Sequence, residues 1–327
     1  MISQTLAHER SHIFSLVRRF FTDQRFLEVD TPSLVRLPGM EPYLDVFKTR
    51  FEPMSGEGSD LYLITSPEYA LKRLLADGYE KIFQITKCFR NKETGGPLHN
   101  PEFTMIEWYR TQANYLDIIR DTTELLQFLV RELFGGTTFV YQGREIDVSR
   151  VEIITMQKLF EKYTGISKEI FEDEQLFRNF FGEKYRAHHA FDDLFFLAFL
   201  NQIEPHLGFP HPVMITEYPA SMAALARLCP GNSKYAERTE LYIAGMEFAN
   251  GFSELNDAVE QRRRLEEERE HRRKLGKLDY PLDEKFLAAV GKMPESSGIA
   301  LGVDRLIMLL LDAGSIQEVV FFPFEEL

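Results

Sequence analysis

The chain has 327 residues, 44% hydrophobic and 27% charged, and its 51 acidic against 38 basic side chains give a formal net charge of -13. That composition fits a globular protein of one large domain or two ordinary ones, and its acidity argues against a chain that grips a long nucleic acid by its phosphates. Two cysteines, Cys88 and Cys229, form neither a metal-ligand spacing nor a disulfide framework, as expected for a reducing cytoplasm.

Ile13, Leu16, Val17, Phe20 and Phe21 recur at helical spacing and predict an amphipathic helix over 7–24. FLEVDTPSL reads as a strand stopped by Pro32, and LYLIT, 61–65, as a second strand. SPEYALKRLLA opens a helix with Ser66 as N-cap and Pro67 at the first helical position. KIFQITKCF and FTMIEWYR are strands flanking FRNKETGGPLHNPEF, a charged, glycine-rich loop that gathers Arg90, Glu93, His99, Asn100 and Phe103. Residues 115–134 are helical, and about 150–210 is a mostly helical insertion between two halves of a sheet.

Strand patterns return at VMITEYP and TELYIAGMEFANGF. Residues 257–275 predict a charged helix ended by Gly276, with Glu260/Arg264, Glu267/His271 and Glu268/Arg272 at i,i+4 spacing on a solvated face. SGIALGVDRLIMLLLDAG is a glycine-spaced strand running into an apolar helix. The N-terminus lacks a signal-peptide pattern, the longest apolar runs are too short to span a bilayer, and the adjacent His188 and His189 read as surface residues. The element order is not alternating βαβ; it predicts an α+β fold, a mainly antiparallel sheet backed by helices.

Three constellations could carry chemistry. In FTMIEWYR alternate residues share a face, so Glu107 lies beside Tyr109, either as a binding pair or as a glutamate satisfied by a core tyrosine. In TELYIAGMEFANGFSELND a turn at Ala244-Gly245 places Tyr242 opposite Glu247 and Glu240 opposite Ala249. Glu240 and Glu247 then become diagonal neighbours roughly 7–8 Å apart. They are either exposed glutamates on a twisted ribbon or oxygen ligands for a cation such as magnesium. Farther along, Asn250, Phe252 and Glu254 share a face that suits a polar cation with an apolar stem. In SGIALGVDRL, Gly298 and Gly302 allow close backbone approach, and Arg305 opens the helix.

Taken in order, FLEVDTPSL, FR with HNPEFTMIEWY, and SGIALGVDR resemble the three motifs of the class II aminoacyl-tRNA synthetase catalytic domain, in its lysyl branch. The resemblance spans nearly the whole chain, 1–327, and predicts a single synthetase-like domain without the anticodon-binding barrel of that branch. Such a stand-alone domain resembles the elongation factor P lysine lysyltransferase family, and so do Ser66 before Pro67-Glu68 and Ala300 in place of a glycine. Arg25 and Lys92 depart from the pattern: Arg25 replaces a common glycine, and Lys92 stands where many members have a glutamate.

The resemblance implies an AMP-forming ligase that uses ATP and Mg²⁺. Arg90 and Arg305 would carry catalysis. ATP would be met by Asn91, Lys92, Glu93, His99 and Asn100, with Lys92 or Glu93 reading adenine and Phe103 stacking on it opposite Arg305. Glu247, Phe248 and Gly302 would complete that subsite, with Glu240 and Glu247 holding the metal. Ser66, Pro67, Glu68, Glu107 and Tyr109 would bind the amino acid together with Asn250, Phe252, Glu254 and Ala300. Glu254 and Tyr109 would take the distal ammonium and Glu68 the other amine. The expected substrate is lysine or (R)-β-lysine and the expected acceptor a lysine of elongation factor P, with a homodimer, no membrane and no tRNA. The alternatives are a minimal lysyl-tRNA synthetase and a non-catalytic lysine- or adenylate-binding paralogue.

Overall fold

The computed structural model describes residues 2–93, 96–182 and 190–327; His188 and His189 lie outside the described residues. Contacts divide the chain into two compact units, Met1–Asn114 with Ser253–Leu327, and Tyr115–Phe252.

In the first unit the helix Gln4–Asp23 turns Ile13, Leu16, Val17, Phe20 and Phe21 inward. The Phe21 ring lies 5.0 Å from Phe83 and 5.0 Å from Trp108, fixing the helix on the strands Lys81–Phe89 and Glu102–Thr111. Arg25, just after this helix, has φ 63°, the left-handed region where glycine is unstrained.

The short strand Leu27–Glu28 runs parallel to Lys81–Phe89, which pairs antiparallel with Glu102–Thr111, itself antiparallel to Ser296–Gly302. This register sets Gln84 and Ala300 on either side of Glu107, and Gly298 beside Tyr109. A smaller sheet joins Leu34–Val35, Ser59–Leu63 and Lys48–Phe51.

Pro67 is the N-cap of the helix Glu68–Ala76 rather than its first residue, which corrects the expected capping. Ser66, one residue earlier, accepts from the Glu68 N–H at 3.0 Å and donates to Glu107. The charged helix Ala258–Lys274 also departs from expectation, because Gln261, Leu265 and Arg272 face inward. Arg272 donates to the carbonyls of Glu41 and Leu44 at 2.7 and 2.9 Å and covers the Tyr280 ring. One arginine thus secures the 41–44 loop.

In the second unit Glu152–Thr155 runs parallel to Val213–Pro219, which pairs antiparallel with Asn232–Ile243, and that strand with Met246–Ser253. A hairpin, Thr138–Tyr141 with Arg144–Asp147, follows the helix Tyr115–Phe134. Helices then span Met156–Thr164, Lys168–Phe171, Glu174–Phe180 and Phe191–Ala198, packed through Phe160, Phe177 and Phe195. Among the described residues no helix is long and apolar enough to cross a membrane.

Candidate active site

Three carboxyl groups, one lysine and one tyrosine converge inside the first unit. Glu107, on the central strand Glu102–Thr111, accepts from Ser66 Oγ at 2.5 Å and from the Tyr109 hydroxyl at 2.8 Å. Lys72 Nζ lies 2.5 Å from Glu68 Oε1, one helical turn earlier, and 2.6 Å from Glu254 Oε2. The Lys72 and Glu254 side chains are 1% and 0% exposed. Glu254 Oε1 is fully buried and accepts no hydrogen bond. A buried carboxylate oxygen without a donor is costly, and a bound donor such as an ammonium would satisfy it.

Electrostatics agree with an acid-rich well. Burial, reinforced by the Glu68 carboxylate, pushes Glu107 up to about 8. Burial raises Glu254 as well, opposed by Lys72 and supported by Glu68 and Glu107. For Lys72 burial works against the charge, but Glu254 and Glu68 outweigh it and hold it above the ordinary lysine range. Tyr109 is raised well above its usual value by burial and by Glu107, so it remains a phenol that donates. Without a proton or a cation, three carboxylates facing one lysine carry net negative charge. Ser66 and Glu68 also line a cavity with Pro38, Gly39, Glu41 and Tyr69.

The loop after Lys81–Phe89 carries the second group of expected residues. The Arg90 guanidinium lies over the Phe103 ring at 5.0 Å and 3.7 Å from Glu93. The Arg90 Nε is buried with no hydrogen-bond partner. Arg305 donates to the Leu98 carbonyl at 3.2 Å and to His99 Nε2 at 2.9 Å. Burial, then Arg305, lowers the His99 pKa, so the ring is neutral beside the guanidinium. Phe103 and Ala300 pack against Ile64, Cys88 and Met105. A Cβ built on Gly302 would meet the Arg305 stem at 3.9–4.0 Å, ordinary van der Waals contact.

Three residues of this loop make contacts within the protein. Asn100 donates to the Glu102 carbonyl at 2.6 Å and accepts from the Phe324 N–H at 3.0 Å, so its amide ties the loop to the C-terminal segment. Lys92 adopts φ 67° and reaches Asp45 at 3.2 Å, which leaves Glu93 as the acid beside Arg90. The Asn91 N–H bonds the Asp45 carbonyl and its side chain bonds the Lys92 N–H, so Asn91 shapes the turn.

In the second unit Tyr242 pairs with Glu247 as expected, but a bulge after Leu241 sets Glu240 opposite Asn250 instead of Ala249. Arg238 lies 2.6 Å from Glu240 Oε1 and donates to Asn250 Oδ1 at 3.2 Å, while the Tyr242 hydroxyl donates to Glu240 at 3.0 Å. Phe248 and Phe252 are buried, and Arg238 lies opposite Phe252. Glu240 and Glu247 both act on Tyr218, Tyr242 and Arg238, so the two carboxylates share one neighbourhood. Two carboxylates against one guanidinium leave a net negative charge of oxygen donors, a set that fits Mg²⁺ when phosphate oxygens and water complete its shell. Among the described residues no three His, Cys, Asp or Glu side chains cluster into a self-sufficient metal site.

Residues 2–326 match the family of class II tRNA synthetases (D, K and N). The chain belongs to this family. Its α+β architecture is that of a class II synthetase-like domain. An elongation factor P–(R)-β-lysine ligase of Edwardsiella ictaluri is 42% identical over 322 residues, covering 97% of this chain and 94% of the relative. The protein of the same name from Haemophilus ducreyi is 40% identical over 331 residues, covering 98% and 94%. That of Haemophilus influenzae strain KW20 is 38% identical over 324 residues, covering 97% and 94%. The protein is accordingly an AMP-forming ligase of the class II synthetase type.

Within this class II frame, sequence reasoning missed Lys72, Arg238 and Asp304. Lys72 lies four residues after Glu68 on one helix, and Arg238 two before Glu240 on one strand, so spacing could have flagged both. Asp304 pairs with Arg10 at 2.7 Å and accepts from the Thr104 N–H at 2.6 Å, thereby fixing the helix that carries Arg305. No local pattern announces those distant partners.

Proposed function

We propose that this protein activates (R)-β-lysine with ATP and transfers the β-lysyl group to the ε-amine of one lysine of elongation factor P. The observation that carries the reading is the buried well of Glu68, Glu107 and Glu254, with one oxygen of Glu254 unsatisfied. A well of that charge suits an amino acid bearing two ammonium groups. The names of the relatives supply the isomer and the acceptor.

A carboxylate oxygen of the substrate attacks the α-phosphorus of ATP, the bond to pyrophosphate breaks, and an aminoacyl-adenylate forms. Arg90 neutralises the converging carboxylate and phosphate, and Arg305 with neutral His99 meets the nucleotide, with Phe103 as its stacking surface. Positioning and charge stabilisation carry the rate, with no protein nucleophile. Glu254 and Tyr109 hold the distal ammonium and Glu68 the other amine. From the family resemblance, Glu240 and Glu247 would hold Mg²⁺, which would offset the phosphate charge. The unprotonated acceptor amine then attacks the acyl carbon and AMP departs.

The same resemblance supports a homodimer built on the helix and strand of residues 13–34, which end in the first motif, and a cytoplasmic location. ATP–pyrophosphate exchange tests the reading: exchange that depends on a lysine isomer supports it, and no exchange with either isomer refutes it.

A further inference from the structure

The lysine pocket contains a lysine of the protein's own. Lys72 is almost fully enclosed, yet its ammonium contacts Glu68 at 2.5 Å and Glu254 at 2.6 Å, the two carboxylates assigned above to the substrate's two amines. It shares the helix Glu68–Ala76 with Glu68, whereas Glu254 reaches it from a different segment, held by its N–H on the Ser296 carbonyl. An ordinary surface ion pair would not be buried in this way, because taking an ammonium out of water requires close anionic partners on more than one side. Lys72 has them.

We propose that Lys72 is a positioning residue for substrate recognition: its ammonium bridges Glu68 and Glu254, fixes both carboxylates, and lowers the pocket's three negative charges to two, the number that a substrate with two ammonium groups neutralises. This rests on the reading of Glu68, Glu107 and Glu254 as the amine-binding set. Lys72 stays in place when substrate binds. Its four-carbon stem is packed on the buried face with Leu71 and Leu75, and Glu68 one turn away keeps it oriented. The substrate's distal ammonium meets the other oxygen of Glu254, Oε1, which lies against Gly298 and has no donor of its own.

Glu254 faces Lys72 and Glu68 from the helix and Glu107 and Tyr109 from the central strand. Glu107 faces Glu68, Lys72, Tyr109 and Ser66. Glu68 is further flanked by Glu41 from the 41–44 loop and by Glu268 from the helix Ala258–Lys274, where Arg264 and Arg272 partly offset that charge and Arg90 acts on Glu41. Among these groups Lys72 is the cation in contact with both Glu68 and Glu254. Removing its charge therefore raises the protonation of Glu254 and Glu107, which must be ionised to receive ammonium groups.

The test is the pH dependence of kcat/KM in ATP–pyrophosphate exchange for wild-type protein, Lys72→Gln and Lys72→Arg, with folding checked by thermal melting. An opposite charge this close shifts a carboxyl pKa by about 1–3 units. The acid limb of the profile should move to higher pH by about one unit or more in Lys72→Gln, chiefly through KM, and stay near the wild-type position in Lys72→Arg. A folded Lys72→Gln protein with an unmoved limb overturns the proposal, since a merely structural lysine would lower the melting temperature without moving the profile. A second measurement needs no variant. Calorimetric titration of wild-type protein in two buffers of different ionisation enthalpy should show about one proton fewer released by 6-aminohexanoate, with one ammonium, than by β-lysine, with two. Equal release overturns the charge count. If wild-type protein exchanges with neither lysine isomer, the amine-pocket reading itself fails; if it exchanges and the limb does not move, only the role of Lys72 fails.

Discussion

Gly298 faces Tyr109 across the paired strands so closely that a Cβ built on the glycine would lie 2.1 Å from Tyr109 Cε1 and 2.9 Å from Glu254 Oε1. The third-motif glycine therefore makes room for the protein's own phenol and carboxylate, where the sequence had suggested room for a ligand. Gly298→Ala should displace both groups, cost about 1–3 kcal/mol of stability through overpacking, and lower exchange activity about 100-fold through misplacement. Thermal melting and exchange kinetics check this together. Wild-type exchange in the variant would contradict the arrangement.

Glu254→Gln removes the charge proposed to face the distal ammonium while keeping the shape. The expected loss is about 2–5 kcal/mol in kcat/KM for the lysine substrate. ATP binding, read separately by fluorescent-nucleotide displacement, should be preserved. Normal activation of lysine by the variant would remove Glu254 from the substrate site.

The same acids predict a pH signature. Glu107 and Glu268 rise from an ordinary 4.5 to about 8, driven first by burial and then by neighbouring carboxylates, and burial raises Glu254 too. A carboxyl whose folded pKa lies above its unfolded one binds more protons when folded. Its contribution to stability is complete below about 4.5 and is lost as pH rises through about 8. The melting temperature of ligand-free protein should therefore fall between pH 6 and about 8.5 from this contribution, and the rise produced by β-lysine should grow over the same interval. A substrate-induced rise that shrinks across it would contradict the charge assignment.

Ser66 and Ala300 border Glu107 from two sides, Ser66 by its hydrogen bond and Ala300 by register. The Ala300 methyl narrows the space beside the carboxylate, and the Ser66 hydroxyl fixes one of its oxygens. Moving an amine by one carbon changes which of these contacts is met, so β-lysine should be activated at least about tenfold better than α-lysine. Ala300→Gly should narrow the difference. Equal exchange rates for the two isomers in wild-type protein would refute the preference.

Much of the fold was legible because its signals are local. The amphipathic helix near the N-terminus, the helix Tyr115–Phe134 and the turn at Ala244-Gly245, with φ 55° and 73°, follow from periodicity and turn chemistry. The bulge after Leu241 was not legible, since an extra residue in one strand leaves no compositional mark, and it moved Glu240 from Ala249 to Asn250. In the site, Glu107 beside Tyr109 followed from strand alternation. The inward turn of Arg272 and the tying of Asn100 to Phe324 depend on partners more than 200 residues away, beyond any local pattern.

The identity of the acceptor is the central claim, and one competition measures it directly. Radiolabelled β-lysine, ATP, elongation factor P and total tRNA are offered to the protein in one reaction, and the label is located by mass spectrometry of the protein and by acid precipitation of the RNA. The account predicts label on a single lysine of elongation factor P and none on tRNA. Label on tRNA with none on elongation factor P would contradict it and make the protein a minimal tRNA synthetase.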